Sequence, residues 1–255
     1  MTSGGSTRRK GAIAGLTALG LAAAGVAGFA ILKPTDAAPV SEQVATYKPP
    51  APTQATIVKV AVFGDSYASG VGASSKTLGW VPRLGRNQSW WLENLGTGGT
   101  GYTTGVTDDV AKAKNACGLD TCPSYIEKIP EAKKFAPSIV IVTGGRNDSW
   151  VDPEAEAQTI NAFYTELRRE LPKAKIIAFS PLWDDDAPPA VIPQIAAAVK
   201  SSVASVKGTY LDSGQPLQGK PELLADDSKH PNDAGHQELF EKNLSLLQSA
   251  GIAAK

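Results

Sequence analysis

The chain opens with an apolar block that has no polar face. Thr7-Arg8-Arg9-Lys10 precedes Gly11 to Leu32, in which Thr17 is the one clearly polar side chain. A helix packed on the core of a domain this small would carry a polar stripe on its outer side. A positive segment followed by an apolar one instead reads as an export signal, and this one is long enough to span a bilayer. Residues 1–33 are therefore assigned as a signal peptide or signal-anchor, with the small residues around Ala37 and Ala38 fitting a cleavage site loosely. Residues 34–56 are rich in Pro, Ala, Thr and Ser and end in "KPPAPTQAT", which reads as an extended, Pro-stiffened spacer.

From Ile57 the pattern changes to alternating strand-like and helix-like stretches. "IVKVAVF" (57–63) and "SIVIVTGG" (138–145) are β-branched apolar runs, as expected of strands buried on both faces of a parallel sheet. "ENL" (93–95), "KIIAFS" (175–180) and "GTYLD" (208–212) are shorter strand candidates. Between them, helices are predicted around Trp80 to Trp91, over Ser124 to Phe135 and from Pro189 to Lys207. Another starts at Asp152-Pro153-Glu154, an N-cap acid with proline in the first turn. It runs to Leu171 with Ala157, Ile160, Tyr164, Leu167 and Leu171 along one face. The last is expected from about Asn232 to Ala250. Strands alternating with helices predict an α/β fold, a three-layer α/β/α sandwich with a central parallel sheet, over a single domain at 57–255.

Charge narrows the function classes. The chain has 25 Lys/Arg against 25 Asp/Glu, and from Ile57 onward 20 against 23. A protein that tracks phosphates needs a basic face, so nucleic acid is not an expected partner. The two cysteines, Cys117 and Cys122 in "NACGLDTCP", suit a local disulfide in an exported protein. Their spacing fits neither a redox nor a zinc motif, and with two histidines in the chain no Cys/His metal site is expected.

Placed on this scheme, the polar residues with chemical potential collect at the C-terminal rim of the sheet, where α/β folds bind ligands. Ser66 follows the first strand in "VAVFGDSYASG". On that stretch alone, a strand-to-helix turn capped by Asp65 or Ser66 is the better reading. Gly96 to Gly101 follow the second strand, Gly144 to Asp148 follow "SIVIV", and Asp227 and His230 precede the last helix. A serine hydrolase needs a nucleophile, a base, a group that orients the base and donors for an oxyanion. Ser66, His230 and Asp227 supply the first three. Glycine-rich loops and the neutral amide of Asn147 supply donors.

These four segments resemble the blocks of the SGNH hydrolases, the GDSL esterases and lipases. "FGDSYASG" is similar to the nucleophile block, with Tyr67 where the family's short name has Leu; "ENLGTGGTG" to the second, "GGRND" to the third and "DDSKHPNDAGH" to the last. They occur in the family's order and span Ile57 to about Ala250. The resemblance implies a flavodoxin-like sheet and a Ser66–His230–Asp227 triad. It implies an oxyanion hole from Ser66, Gly99 (Gly98 the alternative) and Asn147, and no metal or other cofactor.

Other readings fit less well. An α/β-hydrolase wants Gly-x-Ser-x-Gly, which is absent around Ser66, and a phosphate loop wants a lysine beside its glycines. Asp184-Asp185-Asp186 reads as a solvated acidic loop, and His236 as a helix-packing residue. A carbohydrate-binding or interaction protein on the same scaffold would not need all four site residues. An acyltransferase would need the same ones as an esterase. The rim loops are rich in Gly, Ser, Thr and Asp, and Tyr67, Tyr102, Trp150 and Trp183 are candidate substrate contacts. They favour a short-chain ester with a polar alcohol, a small molecule or a glycan, over a lipid tail. The expected protein is a monomeric, exported esterase, held at the membrane if residues 1–33 are retained.

Overall fold

A computed structural model describes residues 57–106 and 121–254. Residues 1–33 and 34–56, read above as an export signal and a spacer, and Cys117 lie outside the described residues. The sheet has five parallel strands: β1 (Lys59–Phe63), β2 (Trp91–Asn94), β3 (Ile139–Val142), β4 (Lys175–Phe179) and β5 (Thr209–Leu211), in the order β2-β1-β3-β4-β5. The helices are α1 (Ser66–Ser69), α2 (Trp80–Asn87), α3 (Ile129–Phe135), α4 (Pro153–Glu170), α5 (Val191–Ser205) and α6 (Asp233–Ser249). Among the described residues no helix is long and apolar enough to cross a membrane.

Strand alternation divides the core into two layers. Ala61, Phe63, Val140, Val142, Ile176 and Ala178 face α3, α4 and α5, with Ile160, Phe163, Ile195 and Val199 among the covering side chains. Val60, Val62, Ile139, Ile141, Ile177 and Phe179 face the opposite way, toward Trp80 and Leu84 of α2 and Leu239 and Leu247 of α6. A side chain such as Ile141, fully buried, contributes about 1.5–3 kcal/mol by leaving water. The expected three layers and parallel sheet are thus present. The helix expected around Trp80 to Trp91 ends at Asn87, and Trp91 instead starts β2, in register with Lys59. The segment from Ser124 begins as a 3-10 turn at Ile126–Lys128 and becomes α-helical at Ile129.

The two longest helices, α4 and α6, start where a side chain satisfies free backbone N–H groups. Asp152 accepts from Glu154 and Ala155 N–H, and Asn232 from Ala234 and Gly235 N–H. The order 2-1-3-4-5 places the topological switch between β1 and β3, the position at which open α/β sheets bind ligands. Both "GDS" and "GGRND" leave the sheet there. Cys122 is fully buried and pairs its backbone with Val106 in an antiparallel bridge.

Candidate active site

Phe63 ends β1, and the chain turns at once into α1. The Asp65 carboxylate accepts the Tyr67 N–H at 2.9 Å, and this capping bond fixes Ser66 in the first helical turn. Asp65 is therefore the N-cap of α1, and the cap serves to present Ser66. Burial raises the Asp65 carboxyl, opposed by the Tyr67 N–H bond and by the charge of Arg146.

At the other end of the domain, the loop before α6 is held by its own hydrogen bonds. Ala225 N–H donates to the His230 carbonyl at 2.8 Å, and the Asn232 side-chain amide donates to the Glu222 and Leu224 carbonyls. In this frame Asp227 Oδ1 accepts from Lys229 and His230 N–H, while Oδ2 lies 2.5 Å from His230 Nδ1. His230 Nε2 lies 2.9 Å from Ser66 Oγ. Burial opposes the Asp227 charge, but the bonds from the His230 ring and the two backbone N–H groups outweigh it and hold this carboxyl at about 2. It is therefore an anion at any working pH, able to orient the ring and to stabilise an imidazolium.

The glycine loop is attached to the same rim. Thr97 N–H donates to the Gly64 carbonyl at 2.9 Å, and Asn94 Nδ2 to the Ala68 carbonyl at 2.8 Å. Asn147, on the 3-10 turn Arg146–Asp148, donates one amide hydrogen to the Thr100 carbonyl at 3.0 Å. An amide carries two, so one remains for a ligand. Gly99, adjacent to Thr100, is exposed and has φ 78°, a conformation natural to glycine.

Four residues under this loop had no role in the sequence reading. Asp148, fully buried, accepts N–H bonds from Tyr102, Thr103 and Thr104, so it staples the turn bearing Asn147 to the end of the glycine loop. A Cβ on Gly101 would lie 2.1 Å from its Oδ2, which excludes any other residue there. Lys128 is buried and donates to the Leu95 carbonyl at 3.0 Å. Burial pulls its ammonium down to about 8. Glu156, also buried, accepts the Thr103 hydroxyl at 2.5 Å. The fourth, Arg146, packs against Tyr67. Position after a strand marks out Asp148 and Arg146. Nothing in the pattern marks Lys128 or Glu156, which read as ordinary charges on helical turns.

Glu156 carries a pH signature. Burial pushes its carboxyl up to about 8, and the Asp148 charge and a hydrogen bond to Asp148 add to the rise. In the neutral acid, Oε1, otherwise unpartnered, is the oxygen free to donate to Asp148. A carboxyl raised in the folded state contributes stability that is full below its ordinary value near 4.5 and is lost as pH rises to about 8. Glu156→Gln keeps a donor and an acceptor but cannot ionise. Its Tm should gain on that of the wild type steadily from about pH 4.5 to 8 and then run parallel. A gap independent of pH would mean that Glu156 is ionised throughout in the folded protein.

The expected substrate contacts divide. Tyr67 and Tyr102 are 2% and 1% exposed. The Tyr67 hydroxyl donates to the Lys229 carbonyl at 2.6 Å, and the Tyr102 hydroxyl pairs with that of Tyr164. Neither ring is open to a substrate, because each is buried with an internal partner for its hydroxyl. Trp150 is 72% exposed, its indole N–H bonded to the Thr104 hydroxyl. Trp183 is partly buried, with the Arg146 guanidinium 4.4 Å from its ring centroid. Asp184 is buried and paired with Arg146 at 2.9 Å, a correction to the solvated acidic loop. His236 is fully buried, its Nε2 3.1 Å from the Val71 carbonyl, so it packs α6 as expected.

The sequence and the fold are similar to those of known proteins. The chain is 26% identical over 198 residues to a GDSL lipase of Mycobacterium tuberculosis, covering 74% of this chain and 80% of the relative. Solved structures with a similar fold include the psychrotrophic esterase EstA of Pseudoalteromonas sp. (TM-score 0.56, 15% identity, 75% of this chain and 97% of that one). A family two carbohydrate esterase of Clostridium thermocellum, in complex with cellohexaose, has TM-score 0.56 and 17% identity, over 81% of this chain and 67% of that one. Residues 62–238 match the model of the GDSL-like lipase/acylhydrolase family, and the chain belongs to that family of hydrolases.

Proposed function

We propose that this hydrolase is an exported serine esterase that cleaves short-chain esters of polar, sugar-bearing alcohols through an acyl-enzyme. The observation that carries the reading is the unbroken line Asp227–His230–Ser66, with heavy-atom distances of 2.5 and 2.9 Å. Ser66 Oγ attacks the ester carbonyl as His230 Nε2 takes its proton, and Asp227 stabilises the imidazolium. The oxyanion accepts from the Ser66 N–H, the Gly99 N–H and the second Asn147 amide hydrogen. Collapse expels the alcohol, which leaves with the proton from His230. Water, deprotonated by the same ring, then attacks the acyl group and releases the acid and free Ser66. No cofactor enters this scheme.

The substrate class rests on the rim. Its described loops are rich in Gly, Ser, Thr and Asp, and Trp150 is an exposed aromatic among them, tied through Thr104 to the Asn147 carbonyl. An indole held in this way suits the apolar face of a sugar ring. A long acyl chain would gain about 0.8 kcal/mol per buried CH₂ only in an apolar trough. Acetyl to butyryl esters should therefore show kcat/KM well above that of esters with ten or more acyl carbons. The check is a chain-length series of aryl esters below their critical micelle concentrations, where a long-chain optimum would identify a lipase instead. Export through residues 1–33, with 34–56 as the spacer, is tested by fractionation: the protein should appear outside the cytoplasm, at the membrane or free.

A further inference from the structure

Tyr67 follows Ser66 directly, and its hydroxyl meets the backbone just before His230, 162 positions away in the sequence. It donates to the Lys229 carbonyl at 2.6 Å and accepts from Arg146 Nη1 at 2.5 Å. The Arg146 guanidinium sits between two rings, 4.9 Å from that of Tyr67 and 4.4 Å from that of Trp183. Its other arm meets Asp184 Oδ2 at 2.9 Å. Asp184 lies in the loop after β4, which Gln215 pins by accepting the Trp183 N–H at 2.7 Å and donating to the Pro181 carbonyl at 3.0 Å. One chain of polar contacts thus links the loops after β4, β3 and β1 to the loop bearing the base.

The geometry points to Tyr67, Arg146 and Asp184 as a positioning clamp that sets the distance from Ser66 to His230 and couples it to the Trp183–Asp184 loop. This inference rests on the serine mechanism proposed above. Two features argue that the clamp does more than hold the fold. First, a buried ion pair adds little net stability over apolar side chains of similar volume, because desolvation offsets the attraction. Arg146 and Asp184 are 7% and 8% exposed, an arrangement whose evident product is a donor aimed at one phenolic oxygen. Second, Tyr67 is fixed at both ends. Its N–H is held by Asp65 and its hydroxyl by Lys229, so one side chain ties the nucleophile segment to the base segment. Burial keeps the phenol protonated, which preserves its role as donor to the carbonyl. The guanidinium fork supplies two directed bonds at a fixed angle, which an ammonium cannot.

The test uses Tyr67→Phe, which keeps the ring and removes only the hydroxyl. Wild-type protein is first treated with an aryl phosphonate, which should modify Ser66 stoichiometrically; without that, the serine reading itself fails and the clamp with it. With that step established, Tyr67→Phe should lower kcat and the rate of phosphonylation together, by roughly 10- to 100-fold, because small displacements of reacting groups are costly. KM should stay within about twofold, since the substrate does not touch the clamp. The low-field proton resonance of His230 Nδ1–H should shift. Arg146→Lys should give the same defect, and the double variant should be no worse than the more affected single one. It also carries the test if Tyr67→Phe does not fold. Unchanged kcat and labelling rate in folded Tyr67→Phe, an unmoved resonance, or an effect on KM alone would overturn the inference.

Discussion

Ser66→Ala should lower turnover by about 10⁴- to 10⁶-fold, and His230→Ala should do nearly the same. The double variant should be hardly worse than either. The reason is the shared proton: Oγ is a poor nucleophile without a base 2.9 Å away, and the base has nothing to activate without Oγ. Losses of this kind do not add, because each substitution disables the same step. Both variants should fold, since Ser66 Oγ and the His230 ring serve no core packing that alanine would empty. Initial rates on an acetyl aryl ester, with Tm measured in parallel, make the comparison. Independent losses that multiply in the double variant would mean that the two residues act in separate steps.

Asn147→Ala should lower kcat by about 10²–10³-fold with little change in KM. Its amide has one hydrogen committed to the Thr100 carbonyl. That bond sets the direction of the other and exists before substrate arrives. A donor already in place strengthens as negative charge develops on the carbonyl oxygen, so its removal is felt in the transition state more than in the bound ester. A modest loss of Tm should accompany it, because the Thr100 carbonyl loses its partner in a buried setting. A rise in KM at constant kcat would instead make Asn147 a ground-state contact.

The sheet was legible in the sequence because its strands are short, apolar and β-branched between glycine-marked turns. Val60 to Phe63 and Ile139 to Val142 are buried on both faces and so leave no polar alternation to misread. The boundary error at Trp91 has a simple cause. β2 is an edge strand whose residues are partly exposed, and Trp90-Trp91 continues the apolar pattern of the preceding helix. Ser66, Asp227, His230 and Asn147 could be picked out because loops at strand ends carry chemistry, and the fold brings the first three into one line of contacts.

What the sequence did not reveal was the support beneath them. An exposed and a buried tyrosine look alike on paper. Tyr67 is buried because its partners, Arg146 and the Lys229 carbonyl, stand 79 and 162 positions away. Asp184 sits in an acidic run that ordinarily signals solvent, and its burial depends on a guanidinium from another strand end. Glu156 reads as an acid favouring a helix N-terminus, and its inward turn toward Thr103 and Asp148 is a tertiary fact.

The central claim is that Ser66 is the nucleophile and that His230 activates it. Covalent trapping tests this most directly: wild-type protein is inactivated with an aryl phosphonate, digested and mapped by mass spectrometry. One phosphonyl group per chain should appear on the peptide containing Ser66, activity should fall in proportion to its incorporation, and His230→Ala should react far more slowly. Inactivation with the group on another residue, or equal inactivation of Ser66→Ala, would contradict the account.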